Sequence, residues 1–381
     1  MKVLHICLSN FYIDNVTYQE NMLIKEHIDS GHEVKVLAST EIFDSQKKLV
    51  YSKAGTYTGA EGAEVTRIDY AKFLPHIIMK KLRVHSGVYQ FIENFKPDVI
   101  MFHSMCGWEL KTVCKYKKNN PSVKLYMDSH EDFNNSARGF ISKYFLHWLY
   151  YRPIAKKAST FSNKVLCISI ETMGFLNEFY GIDKSRLEFY PLGGKIKGDN
   201  EYDDNRVNKR KELGLSSKDI LFLQCGKLTK RKKLLESISA FVEVENKNFK
   251  LIIAGLMDFD VETSVRELIE KDERITFLGW QTSEQVEQLL DASDVYLQPG
   301  TQSATMQASL CARSAIIIDN VASHQPYLKE NGWFANDSIS IKKVLEEISK
   351  NPHQLVKMSQ NSFDIAKNML NYKKLATRIL K

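Results

Sequence analysis

The fold of this chain is most constrained by an alternation of short apolar runs with segments of helical periodicity, which occurs twice. In the first half, the runs cover residues 2–8, 33–39, 98–104, 124–130 and 164–169. In the second half, they cover residues 220–226, 249–255, 275–279, 295–300 and 314–319. Runs rich in Val, Ile and Leu that alternate with helical segments, as at 16–30 and 76–95, are typical of parallel sheets covered on both faces. The sequence therefore predicts an α/β fold with two doubly wound parallel-sheet domains.

The chain length fits two such domains. Its 381 residues would divide into domains of about 150 to 200 residues each, and a hydrophobic content of 43% supplies both cores. The apolar period is lost at 195–217, where charged residues, Asn and Asp dominate as in a linker. We predict a first domain over 1–195, a linker over 196–217, a second domain over 218–365 and a helix near the domain junction over 366–381.

Charge and cysteine usage narrow the function classes. A net charge of +7 is mildly basic, which suits a phosphate-bearing ligand or an anionic membrane face but is too small to indicate nucleic acid. The six cysteines show no CxxC pair and no zinc-site spacing, so they indicate free thiols in a reducing compartment. The N-terminal apolar run is too short for a signal peptide, and no stretch approaches the roughly 18–20 apolar residues of a bilayer-spanning helix. We expect a cytoplasmic protein.

Candidate site residues are sought directly after the strands. Ligands of doubly wound sheets bind outside the carboxyl ends of the strands, where the strand order switches. With two such domains, the natural site is the cleft between them. Three segments that follow predicted strands carry polar or charged side chains, at 225–233, 297–308 and 127–135.

The first of these segments, CGKLTKRKK, is strongly basic. Gly226 permits a tight turn, and five cations follow within seven residues: Lys227, Lys230, Arg231, Lys232 and Lys233. A strand-to-helix turn also directs free backbone N–H groups and the positive end of a helix dipole outward. The segment therefore predicts a diphosphate site with at least Lys227 and Lys232 as contacts, and a solvated basic helix face is the alternative. It is not a P-loop, because GxxxxGK[ST] is absent.

The second segment, LQPGTQSATMQA, leads from a strand through a Pro-Gly turn into an uncharged polar helix entrance. Its polar side chains include Gln302, Ser303, Thr305 and Gln307. Capping of the helix N-terminus explains one Ser or Thr, but it does not explain the whole set. We therefore favour a ligand-binding loop over capping alone.

The third segment, MDSHEDFNN, places His130 beside two carboxylates at a strand end. A histidine there can orient a hydroxyl, shuttle a proton or bind a metal, but a single His with adjacent acids lacks metal-ligand spacing. His103 lies similarly at the end of the preceding strand. A structural role is the alternative for both histidines.

Two segments interleave aromatic and aliphatic residues with cations, GFISKYFLHWLYYRPIAKKA at 139–158 and HIIMKKLRVH at 76–85. Such segments fit a domain seated on a bilayer surface. Ordinary core helices with snorkelling lysines are the alternative.

These motifs resemble the retaining GT-B glycosyltransferases of family 4, the group 1 nucleotide-sugar enzymes, and the likeness covers nearly the whole chain. The most specific match is CGKLTKRKKLLESISAF, where Gly226, Lys227 and Leu228 replace the family's Gly-Arg-Leu and Lys232 keeps the spacing of its lysine. In the family this basic pair grips the donor diphosphate. The resemblance therefore implies two Rossmann-like domains of GT-B architecture, with that role for Lys227 and Lys232.

Further matches extend the implied site. The segments LIIAG and ITFLGW, the latter ending in Gly279 and Trp280, match the strands that flank the nucleotide base. His130 matches the strand-end histidine near the transferred sugar and the acceptor. The resemblance thus assigns His130, Lys227 and Lys232 to catalysis, and Gly226, Gly279 and Trp280 to donor binding.

One departure from the family lies near the start of the chain. Where the family often has a Gly-Gly turn facing the donor phosphates, this chain has Asp14 and Asn15, followed by VTYQEN. Asn tolerates a left-handed turn, but Asp14 brings negative charge towards a diphosphate. The loop is therefore expected to serve the acceptor, with Asn15 and Tyr18 as acceptor or donor contacts and His103 as a third.

A second departure lies in the polar loop. The family places two glutamates eight positions apart after the matching strand; the second corresponds to Gln307, whereas Pro299 stands at the position of the first. Glutamine keeps an acceptor and adds donors, so we expect activity without these carboxylates. The expected donor contacts of the loop are Gln302, Ser303, Thr305, Met306 and Gln307.

The resemblance implies a hexosyltransferase-type enzyme that moves a sugar, with retention, from a UDP- or GDP-linked donor to a glycan or lipid-linked acceptor, as in bacterial capsule or O-antigen synthesis. No cofactor and no metal are expected, although Asp258 and Asp260 form a DxD-like pattern. We expect cytoplasmic localisation with peripheral contact at the inner face of the plasma membrane, and no nucleic-acid partner. A sugar-nucleotide epimerase or phosphorylase of this architecture and a catalytically degenerate nucleotide-sugar-binding protein remain as alternatives.

Overall fold

The computed structural model of the chain describes residues 1–44 and 48–380. The chain forms two compact units, each built on its own sheet. The first unit comprises Met1–Pro191 and Tyr372–Lys381, and the second comprises Leu192–Asn371. The two doubly wound α/β domains predicted from the alternating pattern are confirmed.

The described strands of the first unit are β1 Lys2–Cys7, β2 Glu33–Ser39, β3 Glu41–Phe43, β4 Leu49–Tyr51, β5 Gly55–Thr58, β6 Glu64–Ile68, β7 Val99–Phe102, β8 Lys124–Ser129, β9 Lys164–Cys167 and β10 Leu187–Phe189. Eight of them form one sheet in the order β10-β9-β8-β7-β1-β2-β6-β5, parallel except for the β5–β6 pair. The strand order reverses between β1 and β7, so a crevice is expected at their carboxyl ends.

The helices of the first unit cover both faces of this sheet. They are α1 Gln19–Asp29, α2 His76–Leu82, α3 Val88–Phe95, α4 Glu109–Asn119, a π-helix over Ser142–Tyr151, α5 Arg152–Ser159, α6 Ile170–Glu178 and a 3₁₀ turn over Lys184–Arg186. One core lies between the sheet and α3–α6, and a second lies on the face covered by α1. Fully buried strands such as β7, all of whose residues are apolar, explain the continuous apolar runs.

Two elements of the first unit differ from the sequence-based expectation. The single helix expected over 76–95 is divided into α2 and α3, because Arg83 adopts a left-handed conformation (φ 54°) and Gly87 precedes α3 with φ 78°. The edge strand β5 was not predicted, since its sequence GTYT is exposed at every position and carries no apolar alternation.

The second unit contains β11 Ile220–Leu228, β12 Phe249–Met257, β13 Ile275–Phe277, β14 Val295–Gln298, β15 Ala315–Ile318 and β16 Gly332–Phe334. They form a parallel sheet in the order β13-β12-β11-β14-β15-β16. Numbered within the unit, this is the 3-2-1-4-5-6 order of dinucleotide-binding sheets. Its switch point lies between β11 and β14.

The helices of the second unit enclose a core made mainly of Val, Leu, Ile and Phe side chains. They are α7 Asp199–Glu212, a 3₁₀ turn over Lys230–Lys232, α8 Leu234–Val242, α9 Phe259–Lys271, α10 Ser283–Ala292, α11 Ala304–Cys311, a 3₁₀ segment over Ala322–Tyr327, α12 Ser338–Lys350, α13 Gln354–Ile365 and a π-helix over Ala366–Leu370.

The linker expected over 196–217 is instead largely the helix α7, which packs on α10 within the second unit. Arg206 donates hydrogen bonds from Nη1 to the carbonyl oxygens of Asp291, Ala292 and Ser293, at 3.0–3.1 Å. Arg210 donates to the Asp294 carboxylate at 3.0 Å. The helix is held by charged contacts rather than by an apolar stripe, which is why its sequence is typical of a linker.

The terminal helix expected over 366–381 is also divided. Residues 366–370 continue α13 as a π-helix of the second unit, whereas α14, Tyr372–Arg378, belongs to the first unit and packs on α1. Leu375 and Ala376 are buried there, and the Leu375 carbonyl accepts a hydrogen bond of 2.8 Å from the Tyr190 hydroxyl. The chain therefore passes between the units twice, near 191 and near 371.

Candidate functional site

The switch point of the second unit brings two turns together, one after β11 and one after β14. Thr301 donates its N–H to the Arg231 carbonyl at 3.1 Å. Gly300 makes this approach possible, since a Cβ on Gly300 would lie only 2.0 Å from the same carbonyl oxygen. The basic 227–233 segment and the polar 301–307 segment are thus neighbours, as expected for loops that leave adjacent parallel strands.

Lys232 ties these two turns together. Its Nζ donates to the carbonyl oxygens of Thr301 at 2.5 Å and Gln302 at 3.0 Å. Burial, and secondarily the charge of Arg231, lowers the pKa of the Lys232 ammonium to about 8. Both partners are neutral carbonyl groups, so they do not compensate the charge of the ammonium. An ammonium has three hydrogen-bond donors, and one of them remains for an anion.

The other cations of the segment differ in their surroundings. Lys227, at the end of β11, is exposed, and its side chain has no hydrogen-bonding partner among the described residues. Lys233 donates to the Asn336 carbonyl at 3.0 Å and lies 3.4 Å from the Asp319 carboxylate, so it links the loop to the end of β15. Lys227 and Lys232 are therefore available to an anion, whereas Lys233 is engaged in the fold.

The hydroxyl groups at the entrance of α11 form an internal network. Ser303 Oγ lies 2.9 Å from Gln298 Oε1 and 2.7 Å from Thr305 Oγ1, and the Tyr296 hydroxyl donates to Thr305 at 2.7 Å. Ser303 precedes the helix but makes no capping hydrogen bond. Capping therefore does not explain these residues. Their hydrogen bonds hold the loop in a defined shape and leave the first N–H groups of α11 without a side-chain cap.

The remaining loop residues lie deeper. Gln307 is buried and donates from Nε2 to the Tyr327 hydroxyl at 2.5 Å, while Gln302 Nε2 lies 3.4 Å from the same hydroxyl. The Gln307 Oε1 atom has no hydrogen-bonding partner. Met306 is fully buried, so its side chain belongs to the core of the unit and is not available as the predicted donor contact. The prediction that Met306 contacts the donor is therefore wrong for its side chain, because this face of α11 packs against the core.

The predicted base-flanking residues follow β13 on the other side of the switch point. The Gly279 carbonyl accepts a hydrogen bond of 2.7 Å from Gly255 N–H, which joins the ends of β12 and β13. Trp280 is 55% exposed. An exposed indole beside a strand end offers a flat apolar surface to a base.

In the first unit, His130 follows β8 and is exposed. Its backbone N–H donates to Glu131 Oε2 at 3.1 Å, and its carbonyl accepts from Asn135 Nδ2 at 2.7 Å. These contacts hold the backbone and leave the imidazole facing solvent. His130 can therefore contact a ligand.

His103, predicted as a possible ligand contact, is instead buried in a hydrogen-bonded chain. Its Nδ1 lies 2.6 Å from Asp128 Oδ2, and its Nε2 lies 3.0 Å from His5 Nδ1. His5 continues to His27, whose Nε2 reaches the Ala376 carbonyl at 3.1 Å. Both nitrogens of His103 are thus occupied within the core, which removes it from the candidate contacts.

The loop after β1 keeps its predicted turn. Asn15 has a left-handed conformation with φ 61°, and Tyr18 is 50% exposed. Asp14 accepts hydrogen bonds from the Tyr57 hydroxyl at 2.7 Å and from Ala60 N–H, and Arg67 lies 3.6 Å away. The negative charge that the sequence places here is therefore compensated within the first unit.

A polar cavity that the sequence did not predict lies at the switch point of the first unit. It has a volume of about 210 Å³, and its lining includes Ser9, Asn10, Arg83 and Glu131. Arg83 lies inside a helical pattern, so nothing in the sequence marked it. In the sequence, Glu131 is recognisable only as one of the two carboxylates beside His130. Among the described residues, no cluster of three or more His, Cys, Asp or Glu side chains could hold a metal ion.

Comparison with known proteins begins with a family model described as Glycosyl transferases group 1, which matches residues 205–364. A comparison with curated protein sequences finds no significant match. Similar solved structures include HepE of Anabaena in complex with UDP, with a TM-score of 0.70 and 13% identity, covering 100% of this chain and 98% of that one. They also include sucrose-phosphate synthase of Thermosynechococcus elongatus, with a TM-score of 0.67, 12% identity and coverages of 100% and 97%.

A third similar structure is WaaG, a glycosyltransferase involved in lipopolysaccharide biosynthesis, with a TM-score of 0.62, 14% identity and coverages of 100% and 99%. At these identities the structures report on fold, and they confirm the expected GT-B fold class. The family match covers α8 to α11 and thus both turns of the second unit's switch point. Residues 205–364 therefore match the family model of the group 1 glycosyl transferases, within a chain that has the fold of solved GT-B glycosyltransferases.

Proposed function

We propose that this protein transfers a sugar from a nucleotide diphosphate donor to a glycan or lipid-linked acceptor, with retention of configuration. The observation that carries the proposal is the uncompensated ammonium of Lys232, held between the two turns of the switch point beside the uncapped entrance of α11. Lys232 and the N-terminus of α11 would attract a diphosphate there, and the exposed Lys227 at the end of β11 would add a second positive charge.

The leaving group explains why this arrangement suits glycosyl transfer. As the bond between the anomeric carbon and the diphosphate oxygen breaks, negative charge grows on the diphosphate. Lys227 and Lys232 would stabilise that charge as it develops. A new bond forms from the acceptor oxygen to the same face of the anomeric carbon, and the departing diphosphate takes the acceptor proton, so that neither a metal nor a cofactor is required.

The polar loop would orient the sugar. Gln302, Ser303 and Thr305 present amide and hydroxyl groups at the entrance of α11, and Gln307 keeps an unpartnered Oε1 next to the Tyr327 hydroxyl. Positioning of this kind lowers the barrier without covalent participation by the protein. In the first unit, His130 would contact the sugar or the acceptor.

HepE, whose structures contain UDP or UDP-glucose, suggests the donors to examine first. We expect one of the UDP- or GDP-sugars to be hydrolysed slowly without acceptor. NMR of the protein with each donor would follow nucleotide release and the anomeric proton. Initial release of the α-configured sugar from an α-linked donor would support a retaining transferase, whereas interconversion of one nucleotide sugar into another would favour the epimerase.

A nucleotide-sugar-binding protein without chemistry is the second candidate. It is favoured by one observation: residues 299–307 contain no carboxylate, where related enzymes have glutamates. Saturable nucleotide binding without turnover of any donor, in the presence of a range of acceptors, would establish this candidate and exclude the enzyme.

A lipid-linked acceptor is supported by exposed apolar side chains on the first unit, which we call the apolar face and define by Phe73, Ile77, Phe140, Ile141, Phe145 and Trp148. Ile77, Phe140 and Ile141 are 70–75% exposed, and Lys143 and Arg152 lie nearby in the chain. An exposed patch of aromatic and aliphatic residues with adjacent cations fits the interface of an anionic bilayer. No helix among the described residues is long and apolar enough to cross a membrane.

We expect the protein to sediment with vesicles that contain phosphatidylglycerol and to bind vesicles of phosphatidylcholine more weakly. The double variant Phe140→Ser, Ile141→Ser should lose most of this binding, because it removes apolar area that would enter the interface. A matched control is Ile339→Ser, Val356→Ser, which changes two residues of the second unit that are 68% and 76% exposed. Equal loss in both variants, or no binding by the wild type, would contradict the membrane contact.

WaaG is described as involved in lipopolysaccharide biosynthesis, and the apolar face suits work at the inner face of a plasma membrane. These two observations support a role in bacterial surface polysaccharide synthesis. A reconstituted reaction that uses lipid-linked acceptors would test it.

A further inference from the structure

The polar cavity of the first unit lies at the carboxyl ends of β1, β7 and β8, where the strand order reverses. We call it the acceptor cavity; its lining includes Ser9, Asn10, Arg83, Glu131, His147 and Tyr151. Its volume of about 210 Å³ is below the roughly 300–1,000 Å³ of sites for drug-sized ligands. The cavity therefore fits one sugar ring or a charged group of similar size.

Arg83 supplies a positive charge without a matching carboxylate. It follows α2 in a left-handed conformation and donates one long hydrogen bond, of 3.4 Å, from Nη1 to the Cys106 carbonyl. Among the described residues no carboxylate lies within ion-pairing distance of it. Lys80, in the same lining, differs because Glu41 compensates it at 2.8 Å. Most of the five guanidinium donors of Arg83 are therefore open to a ligand.

Two buried acceptor atoms in the lining also lack partners. Ser9 is 6% exposed, and its Oγ makes no hydrogen bond to any residue that the structure describes; the same holds for Asn10 Oδ1. Buried polar atoms are normally satisfied by protein, water or ligand. Unpartnered atoms on two consecutive residues that line one cavity indicate that a polar ligand or water completes them.

Glu131 provides the opposite charge on another wall. Its Oε1 accepts a hydrogen bond of 2.6 Å from Ser104, and its Oε2 accepts from Ser129 and from His130 N–H. All of these partners are neutral donors, and a carboxylate oxygen has a second lone pair that can accept from a ligand hydroxyl. The cavity lining thus combines the Arg83 guanidinium and the Glu131 carboxylate with the small polar side chains of Ser9 and Asn10.

We propose that the acceptor cavity binds an anionic sugar unit of the acceptor, with a phosphate or carboxylate on Arg83 and sugar hydroxyls on Ser9, Asn10 and Glu131. Identifying the bound sugar as the acceptor rests on the proposed function. Binding of an anionic sugar in the cavity does not depend on it. A guanidinium matches the geometry of either anion with two parallel hydrogen bonds. A neutral sugar of the same size would leave Arg83 unpaired.

The test uses the full chain and three probes: glucuronate, glucose 6-phosphate and glucose. Saturation-transfer NMR titrations should detect the first two, and glucose should bind at least about tenfold more weakly. Arg83→Gln, which keeps an unbranched side chain at the left-handed position, should weaken both anionic probes by at least about tenfold. Arg83→Lys should restore part of the affinity, and the control Arg266→Gln, at an exposed residue of α9 in the second unit, should change nothing.

Phosphate could also enter the diphosphate site, so each titration is repeated with Lys232→Ala. The proposed binding of an anionic sugar in the acceptor cavity is contradicted if glucose binds as tightly as glucuronate. It is also contradicted if binding of the anionic probes survives Arg83→Gln but is lost in Lys232→Ala. The preferred probe, glucuronate or glucose 6-phosphate, identifies the anion. UDP binding is measured on the same samples: Arg83-dependent probe binding without UDP binding would uphold the cavity while the proposed function fails.

Discussion

Lys232→Ala is expected to lower the rate of donor turnover by at least about 10²–10³-fold, and the double variant Lys227→Ala, Lys232→Ala should abolish it. Removing one well-placed donor to a developing negative charge has effects of this size in other enzymes, equivalent to about 3–4 kcal/mol of transition-state stabilisation. Among the described residues, the side chain of Lys232 donates hydrogen bonds to the Thr301 and Gln302 carbonyls and to no other group. The Thr301 carbonyl keeps its hydrogen bond from Gln298 in the variant, so the fold should survive. Nucleotide release from the donor is the measurement.

The matched control for this prediction is Lys271→Ala. Lys271 is an exposed residue of α9 paired with Glu267, and such surface pairs contribute little to stability. Its turnover should equal that of the wild type, and thermal unfolding should show that all variants are folded. Full turnover in the Lys227→Ala, Lys232→Ala variant would sink the assignment of the diphosphate site.

The pH dependence of nucleotide binding offers a second test of Lys232. Because the pKa of its ammonium is lowered to about 8, Lys232 loses its proton above that pH in the free protein. A bound diphosphate favours the charged form, so binding takes up a proton and UDP affinity falls, by up to about tenfold per pH unit, as the pH rises above this value. Lys232→Arg stays charged. The ratio of the two affinities removes the titration of the nucleotide itself, and a ratio independent of pH would contradict the assignment.

The sequence was sufficient to predict that the two turns proposed to bind the diphosphate lie side by side, because both turns follow strands. Gly226 lies near the end of β11 and Lys232 comes after it, whereas the polar loop comes after β14, which pairs with β11. The carboxyl ends of paired parallel strands meet at one edge of a sheet, so residues about 70 positions apart become neighbours. Nothing beyond the apolar periodicity was needed for that step.

The roles of individual side chains depended on contacts that periodicity does not report. Lys233 looks like its basic neighbours in sequence, yet its ammonium reaches the Asn336 carbonyl, 103 residues away. Met306 and Thr305 are adjacent, but the helix turns one into the core and the other towards Tyr296. Strand-end position identifies where a ligand binds, and packing decides which side chains face it.

Arg83 illustrates a backbone feature hidden within a regular pattern. The apolar residues of 76–95 continue the helical period through it, but its left-handed conformation ends α2 there and brings its side chain to the cavity. Left-handed non-glycine residues are uncommon and often lie at functional positions. The sequence does not distinguish Arg83 from an arginine on the surface of a continuous helix, because the left-handed conformation has no sequence signal there.

His103 shows the opposite case, a strand-end histidine whose function is structural, and it leads to a large expected effect on stability. Burial opposes a charge on either partner, but the attraction and hydrogen bond between His103 and Asp128 outweigh it: the pKa of His103 is raised and that of Asp128 is lowered. Asp128 also accepts from Ser104 N–H at 2.8 Å. Burial instead lowers the pKa of His5 and His27, so the chain carries its positive charge at His103.

Asp128→Ala should lower the free energy of unfolding of the first unit by about 3–5 kcal/mol at about pH 6, because it leaves a buried imidazolium without its partner or forces it to be neutral. Asp128→Asn, which keeps an acceptor for Ser104 N–H, should lose less. The exposed carboxylate of Asp183, which caps the turn before β10, provides the control Asp183→Asn, for which no change is expected. Hydrogen exchange of the β1 and β7 amides in urea would report on the first unit separately from the second.

The sign of the pH dependence distinguishes a charge pair from a neutral hydrogen bond. The raised pKa of His103 contributes stability that is fully present below the ordinary value of 6.5 and is lost as the pH rises through the folded-state pKa. The lowered pKa of Asp128 contributes stability that is present above the ordinary value of 3.8 and is lost as the pH falls through the folded-state pKa of Asp128. The difference between wild type and Asp128→Asn should therefore be largest near about pH 5–6 and shrink as the pH rises through the folded-state pKa of His103. A difference that stays constant across this range would mean that Asp128 acts through geometry alone, with His103 neutral throughout.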